Sequence, residues 1–219
     1  MVESLIHVDW NLVAEYSEEE ISYYLYLEGK SAEAISKIRN INKEAVQAHI
    51  LNGKIKYGII AKCKNINELF SNILNSSKTD KLGVLNYLEP KVKTDLVRFI
   101  TEGYADMLPK EKETAIWLLG ELKHKESYHI LIKASVHKFI NIRRMAISAM
   151  GKISDEYFET ALIKALDDSN PQVILYSIKS LNKINSTKAS NKIKNIFVST
   201  NKDYLKAAAE NWLESKAIG

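Results

Sequence analysis

Three histidines, His124, His129 and His137, crowd one stretch of the chain, and His129 and His137 can face the same way if that stretch is helical. Imidazoles become metal ligands when a carboxylate or thiolate completes the set. No Glu or Asp is placed to complete this one, so exposed histidines and no bound metal are expected. Asp167 and Asp168 form the paired carboxylate that general acid–base chemistry uses, but their position between two apolar stretches suits helix-capping acids in a turn. Cys63 sits between Lys62 and Lys64, a setting that can lower a thiol pKa. Nothing in the sequence brings His7 or His49 beside it, so a buried structural cysteine is expected. Trp10, Trp117 and Trp212 fall at apolar phases, as core residues do. No Gly-x-x-x-x-Gly-Lys-[Ser/Thr] loop occurs, which excludes a P-loop motor. The reading is of a protein that is not an enzyme and takes no cofactor.

The elements that must carry these residues are constrained by composition. The chain has 219 residues (24.9 kDa), 46% hydrophobic and 26% charged, which is globular composition. At this length the core needs no disulfide or metal. The single cysteine excludes an internal disulfide and suits a reducing cytosol. The opening from Met1 to Trp10 carries Glu3 and Asp9 and no Lys or Arg, unlike a secretory signal. No run approaches the ~18 apolar residues of a membrane helix. A soluble, cytoplasmic protein with no membrane partner is expected. Only 8 Gly and 3 Pro point to helices, because the turns of sheet proteins consume both. Of the 31 basic residues only four are Arg, a bias that with frequent Ile and Asn suggests an AT-rich, bacterial genome.

Offsetting the chain against itself by 31 residues aligns its second half. Leu119, Met150, Leu181 and Trp212 form one apolar column; Ala115, Ala146, Ser177 and Ala208 form a small one. Ile116 leads to Ile147, Ile178 and Ala209, and a further column runs Ile100, Leu131, Leu162, Ile193. Pro109 and Pro171 lie two periods apart, and Asn170-Pro171 reads as an N-cap followed by proline at the first helical position. Each unit is therefore two helices, too narrow to bury their apolar faces unless units stack. The runs Leu162–Asp167–Asp168–Pro171–Val173 and Ile142–Arg143–Ala146–Ala149–Gly151–Ile153 resemble HEAT-type repeats. Gly120 and Gly151 match that pattern; Asn182 and Leu213 depart from it. The resemblance spans residues 93–219 and implies an α-solenoid, a right-handed superhelix of helical hairpins, in which Arg143 bonds an Asp of the neighbouring turn, such as Asp168. Other helical-hairpin repeats are the alternative.

A different module lies in front. Ser17-Glu18-Glu19-Glu20 is a capping box opening a helix that stops at Gly29. Ser31 caps a second helix, Ala32 to about Arg39; Asn40 permits a tight turn; a third helix runs from Lys43 to about Leu51. This is the helix-turn-helix plan. Gly29-Lys30-Ser31, Ile35, Ile38, Arg39, Ile41–Val46 and His49-Ile50 resemble the helix-turn-helix domain at the C-terminus of RecQ-type helicases, with Ser36, Ala45 and Val46 as departures. The expected organisation is all-α: a helix-turn-helix module over residues 1–64, connecting helices or a degenerate repeat over 65–92, and the repeats over 93–219.

The net charge of +4 conceals segregation: residues 1–29 carry −7, residues 30–64 carry +6, residues 65–92 balance, and the remainder carries +5. If the third helix reads duplex DNA, Lys43, Glu44, Gln47 and Ala48 face outward at its start, while Lys30, Lys54 and Lys56 meet phosphates. Gln47 alone has strong base-reading chemistry, and Glu44 would repel phosphates. In the repeats, Trp117, Arg143, Arg144, Lys152, Tyr176, Lys179 and Lys183, with Leu175 and Lys206, line a basic groove for an acidic protein or a nucleic-acid backbone. The expected function is a non-enzymatic scaffold, associated with double-stranded DNA through the front module and binding a partner through the groove. A pure protein–protein adaptor is the alternative. A third reading rests on HEAT-like alkylation-repair glycosylases, which place aromatic residues and an Asp in a basic cleft. Trp117, Tyr176 and Arg144 would serve, but the central Asp is missing.

Overall fold

The computed structural model describes residues 4–217; Glu3 of the acidic opening, with Met1 and Val2, lies outside the described residues. The chain divides into two compact units, Met1–Phe99 and Ile100–Gly219. The helices are α1 (Glu18–Leu27), α2 (Ala32–Arg39), α3 (Lys43–Tyr57), α4 (Ile66–Asn75), α5 (Lys78–Tyr87), α6 (Pro90–Gly103), α7 (Pro109–Leu122), α8 (Tyr128–Ala134), α9 (Ile140–Ile153), α10 (Glu159–Ala165), α11 (Pro171–Lys183), α12 (Ser190–Ser199) and α13 (Asp203–Ala217). No strand occurs among the described residues. The fold is all-α. Where the sequence suggests a boundary at residue 93, the division of the chain falls inside α6.

In the first unit the local signals act as the sequence reading expects. The Ser17 and Glu20 side chains exchange hydrogen bonds with each other's backbone amides, completing the capping box of α1. Gly29 adopts φ +87, and the backbone amides of Gly29 and Lys30 turn back to the carbonyls of Tyr26 and Leu25, which ends the helix. Ser31 caps α2, Asn40 takes the left-handed conformation at φ 51, and Asn42 caps α3. The Ser36 hydroxyl donates to the Ile41 carbonyl at 2.5 Å and fixes the intervening turn. Ile35, Val46 and Ile50 are buried together where α2 meets α3, with Leu25 and Ile41 packed against them. Helix α3 runs to Tyr57, two turns beyond the expected end near Leu51. Within the added turns Gly53 is a contact point: a Cβ there would lie 2.2 Å from Cγ of Tyr23 on α1.

The second unit realises the 31-residue period. The longer helices α7, α9, α11 and α13 pack each on the next, and α8, α10 and α12 pack against α9, α11 and α13 respectively, as stacked hairpins. All four members of the Leu119–Trp212 column and of the Ile100–Ile193 column are buried. Left-handed residues recur with the same step at Lys123, Ser154 and Asn185. Asn170 caps α11 through Gln172 N–H at 2.9 Å with Pro171 at the first turn. Gly120 and Gly151 have a packing role: a Cβ on Gly120 would lie 2.7 Å from Ala149 Cβ, and one on Gly151 would lie 2.2 Å from Ser180 Oγ. The glycine of one helix thus admits a small residue of the next at close approach, and the two contacts lie one period apart along the chain. No described helix is long and apolar enough to cross a membrane.

Candidate binding surfaces

Helices α2 and α3 carry the first set of candidate residues. Lys43, Gln47 and Lys54 are exposed and share one face of α3, since steps of four and seven residues return to nearly the same helical direction. The Lys54 ammonium lies 4.7 Å from the centre of the Tyr26 ring, and Lys30 and Tyr26 line the same surface cavity beside the start of α2, so Lys30 and Lys54 flank one tyrosine. Lys43 is ion-paired with Glu33 of α2. Glu44 and Ala48 are exposed beside them, as expected of the start of the helix. Lys56 does not join this face. It reaches Glu19 of α1 at 3.4 Å, and the same carboxylate accepts from Asn52 at 2.9 Å. The opposite face of α3 is therefore spent on holding α1.

Arg39 and His49, which carry much of the helix-turn-helix resemblance, serve the same purpose. The Arg39 guanidinium donates to the backbone carbonyl and carboxylate of Glu18 and to the hydroxyl of Ser22; His49 Nδ1 lies 3.0 Å from that hydroxyl. Ser22 is buried, so α1 is pinned to α2 and α3 through one shared hydroxyl. The acidity of the first 29 residues is partly consumed here, in pairing with bases of the next segment.

The second set lies on the long helices of the repeats. Arg143 is removed from the groove: its guanidinium grips Asp168 with two hydrogen bonds, 2.6 and 2.9 Å, and donates to the carbonyls of His137 and Lys138. Burial raises the Asp168 carboxyl, but hydrogen bonds from Arg143 and from the Asn170 amide outweigh it and hold the group below the usual carboxylate range. Of the two roles the sequence allows for Arg143, the inter-turn bond is the one it occupies. Lys152 pairs with Glu121 of α7 while lying 5.8 Å from the Trp117 ring. Arg144 packs over Tyr176 of α11 at 5.8 Å. Lys179 and Lys183, one turn apart on α11, are exposed, and their ammonium groups make no hydrogen bond or ion pair among the described residues. Helices α9 and α11 contain no acidic residue at all, whereas α7 contains Glu111, Glu113 and Glu121 and α13 contains Asp203, Glu210 and Glu214.

The residues with intrinsic chemistry are occupied structurally. Cys63 is buried with Sγ 3.0 Å from the Ile59 carbonyl, and burial pushes its thiol up, away from an activated thiolate. Asp167 pairs with Lys192, and Asp168 accepts from the Asn170 amide at 2.8 Å, so both acids serve the turn while the helix cap itself is Asn170. His137 accepts from the Phe139 amide through Nδ1 at 3.1 Å; burial, then Lys112, Lys138 and Arg143, push its pKa down. Among the described residues no three His, Cys, Asp or Glu are grouped to hold a metal ion. Trp212 is core, Trp117 is half-buried under Lys152, and Trp10, also half-buried, donates to Glu28 at 2.6 Å.

One feature escapes sequence reasoning. Tyr16, Tyr23, Tyr24, Tyr26, Tyr57 and Tyr87 form a continuous ring cluster in the first unit. Six of the eleven tyrosines fall in the first 87 residues, a compositional signal, but no fixed period links them.

Stacked helical hairpins held by periodic apolar columns define an α-solenoid, an architecture that builds extended interaction surfaces. The family model for HEAT repeats matches residues 142–214, from the start of α9 into α13, so this part of the chain is similar to a protein-interaction scaffold of that type. Among curated proteins, none matches the chain.

Proposed function

We propose that the protein is a non-enzymatic scaffold whose repeats bind an acidic segment of a partner protein on the face formed by α9 and α11. The observation that carries this reading is the absence of any acid on those two helices while Arg144, Lys179 and Lys183 have no carboxylate partner. Flanking helices supply acids that would border the site and fix the partner's register by repulsion. Tyr176 under Arg144 adds a half-buried aromatic surface of the kind interfaces favour. Retention of a protein from nuclease-treated cytosol on immobilised wild-type chain, lost when Arg144, Lys179 and Lys183 are changed together to Glu, is the expected result. Equal retention by the charge-reversed chain removes the site from this face.

A second surface is favoured by a separate observation: Lys30, just before α2, and Lys43, Gln47 and Lys54 on one face of α3 are all exposed, and a helix-turn-helix would offer such a third helix to duplex DNA. On this reading Lys56 contributes nothing directly, because it lies on the opposite face of α3 with Glu19, whereas Lys43 exchanges its Glu33 partner for a phosphate. Fluorescence anisotropy of a labelled duplex at about 50 and 200 mM salt should show steep weakening, on the order of tenfold or more per few phosphate contacts. Gln47→Ala and Lys43→Glu should both reduce affinity. A duplex left free at low salt excludes the DNA reading and leaves the adaptor.

A further inference from the structure

The tyrosine cluster of the first unit surrounds a cavity of about 300 Å³, at the lower end of the size of small-ligand sites. Four of its rings, Tyr16, Tyr24, Tyr57 and Tyr87, belong to the wall. They are set steeply to one another: Tyr16 and Tyr24 at 85°, Tyr24 and Tyr57 at 48°, Tyr57 and Tyr87 at 66°, with centres 5.1, 6.3 and 5.4 Å apart. Rings turned in this way wall a box rather than fill it as a stack. Aliphatic side chains, among them Ile60 and Leu88, complete the lining.

Charge in this wall is one-sided. Glu15, Glu20 and Glu89 line the cavity, and among the described residues no Lys, Arg or His does. The other acids of α1 and its C-cap have partners: Glu18 pairs with Arg39, Glu19 with Lys56, and Glu28, just past the helix, accepts from Trp10. Glu20 has no ion-pair partner. Burial raises its carboxyl, yet hydrogen bonds from Tyr57 and Ser17, helped by the charge of Lys56, which lies outside the wall, bring it below its ordinary value and keep it ionised. Burial and the charge of Glu20 push Tyr24 up to about 12, with Glu89 adding to the effect, so both carboxylates act on this ring.

We infer that this cavity is a binding site for an alkylammonium group, held by tyrosine faces and the fixed negative charge around them. The alternatives within cation chemistry fit less well. A metal ion needs carboxylate lone pairs, and a guanidinium needs a planar carboxylate fork. Both Glu20 oxygens are already engaged, Oε1 by the Tyr57 hydroxyl at 2.6 Å and Oε2 by the Ser17 amide at 2.9 Å and the Ser17 hydroxyl at 2.8 Å. Glu20 therefore offers a charge with little remaining direction. A cation whose charge is spread over methyl or methylene groups needs none, and gains from aromatic faces and aliphatic walls as well. The group could be free, as in a choline-like metabolite, or borne by a methylated lysine; the chemistry is the same.

Isothermal titration of the full chain separates these cases with four probes: choline, its neutral carbon isostere 3,3-dimethyl-1-butanol, a short peptide whose only charged side chain is trimethyl-lysine, and methylguanidinium. Choline or the peptide should bind at one site at least tenfold more tightly than the isostere. Tighter binding of the peptide assigns the group to a protein chain; tighter binding of choline assigns it to a small molecule. Tyr87→Leu, at a partly exposed ring, and Glu89→Gln should each weaken binding several-fold while thermal melting stays unchanged. Equal affinity for charged and neutral probes, preference for guanidinium over alkylammonium, or no heat at millimolar probe overturns the inference.

Discussion

The two units solve the same problem, burying helices that cannot stand alone, by opposite means. In the repeats the solution is written once and copied: a large apolar residue, a small residue and a left-handed cap return every 31 positions, and neighbouring long helices meet through the same columns. In the first unit nothing is copied. Helix α1 is tied down by contacts each used once, namely Arg39 and His49 on Ser22, Lys56 and Asn52 on Glu19, and Tyr57 on Glu20. Periodic packing leaves the exposed faces free to vary, so the basic surface of α9 and α11 costs the fold little. The one-off network instead draws charged side chains into the structure, and Lys56 is lost from the candidate DNA face for that reason.

The largest expected effect falls in the copied unit. Leu181→Ala leaves a cavity in a fully buried column and should cost about 2–5 kcal/mol, read as lost hydrogen-exchange protection in α9 to α13. Protection unchanged in those helices would break the contrast, because the columns would then not carry the repeats. A smaller effect tests the other unit. Gly53→Ala gains about 1 kcal/mol of helix propensity. The new methyl group, however, would lie 2.2 Å from Tyr23 Cγ, and overpacking costs about 1–3 kcal/mol. Net destabilisation of the first unit is expected; stabilisation would show that α1 and α3 separate easily.

Acid should expose the bidentate ion pair of Arg143 and Asp168, which joins α9 to the turn before α11. Because the Asp168 carboxyl is held below its unfolded value near 3.8, its contribution is complete above that value and lost as pH falls through the lower folded one. Melting temperature measured between pH 5 and pH 2.5 should fall further for wild type than for Asp168→Asn, which lacks the titrating group. Lys183→Ala, an exposed side chain without a partner, serves as the control with no measurable effect on stability.

How much of this was legible in the sequence follows from the same contrast. Periodicity reveals what is repeated, so the buried columns and the Asn170–Pro171 start were readable from spacing, whereas the Arg143–Asp168 bond followed only from the resemblance to HEAT-type repeats. Glu121 and Lys152, one period apart, were equally open to that test. In the first unit local signals sufficed for the caps at Ser17, Ser31 and Asn42 and for the turn at Asn40. They fell short at the end of α3, expected near Leu51 and found at Tyr57, where Gly53 meets Tyr23 thirty residues away. They failed again for the tyrosine box, where rings from residues 16 to 87 meet with no common spacing and side-chain direction decides the outcome.

The bonds that cross repeat boundaries join residues a nearly constant distance apart: 31 for Lys152 and Glu121, 29 for Ser154 and Lys183, 33 for Ser180 and Ile147. No long loop has to close before such contacts reward the chain, and topologies of this kind fold quickly. Each hairpin can settle on its predecessor as soon as it is synthesised, so assembly of the repeats keeps pace with translation one hairpin at a time.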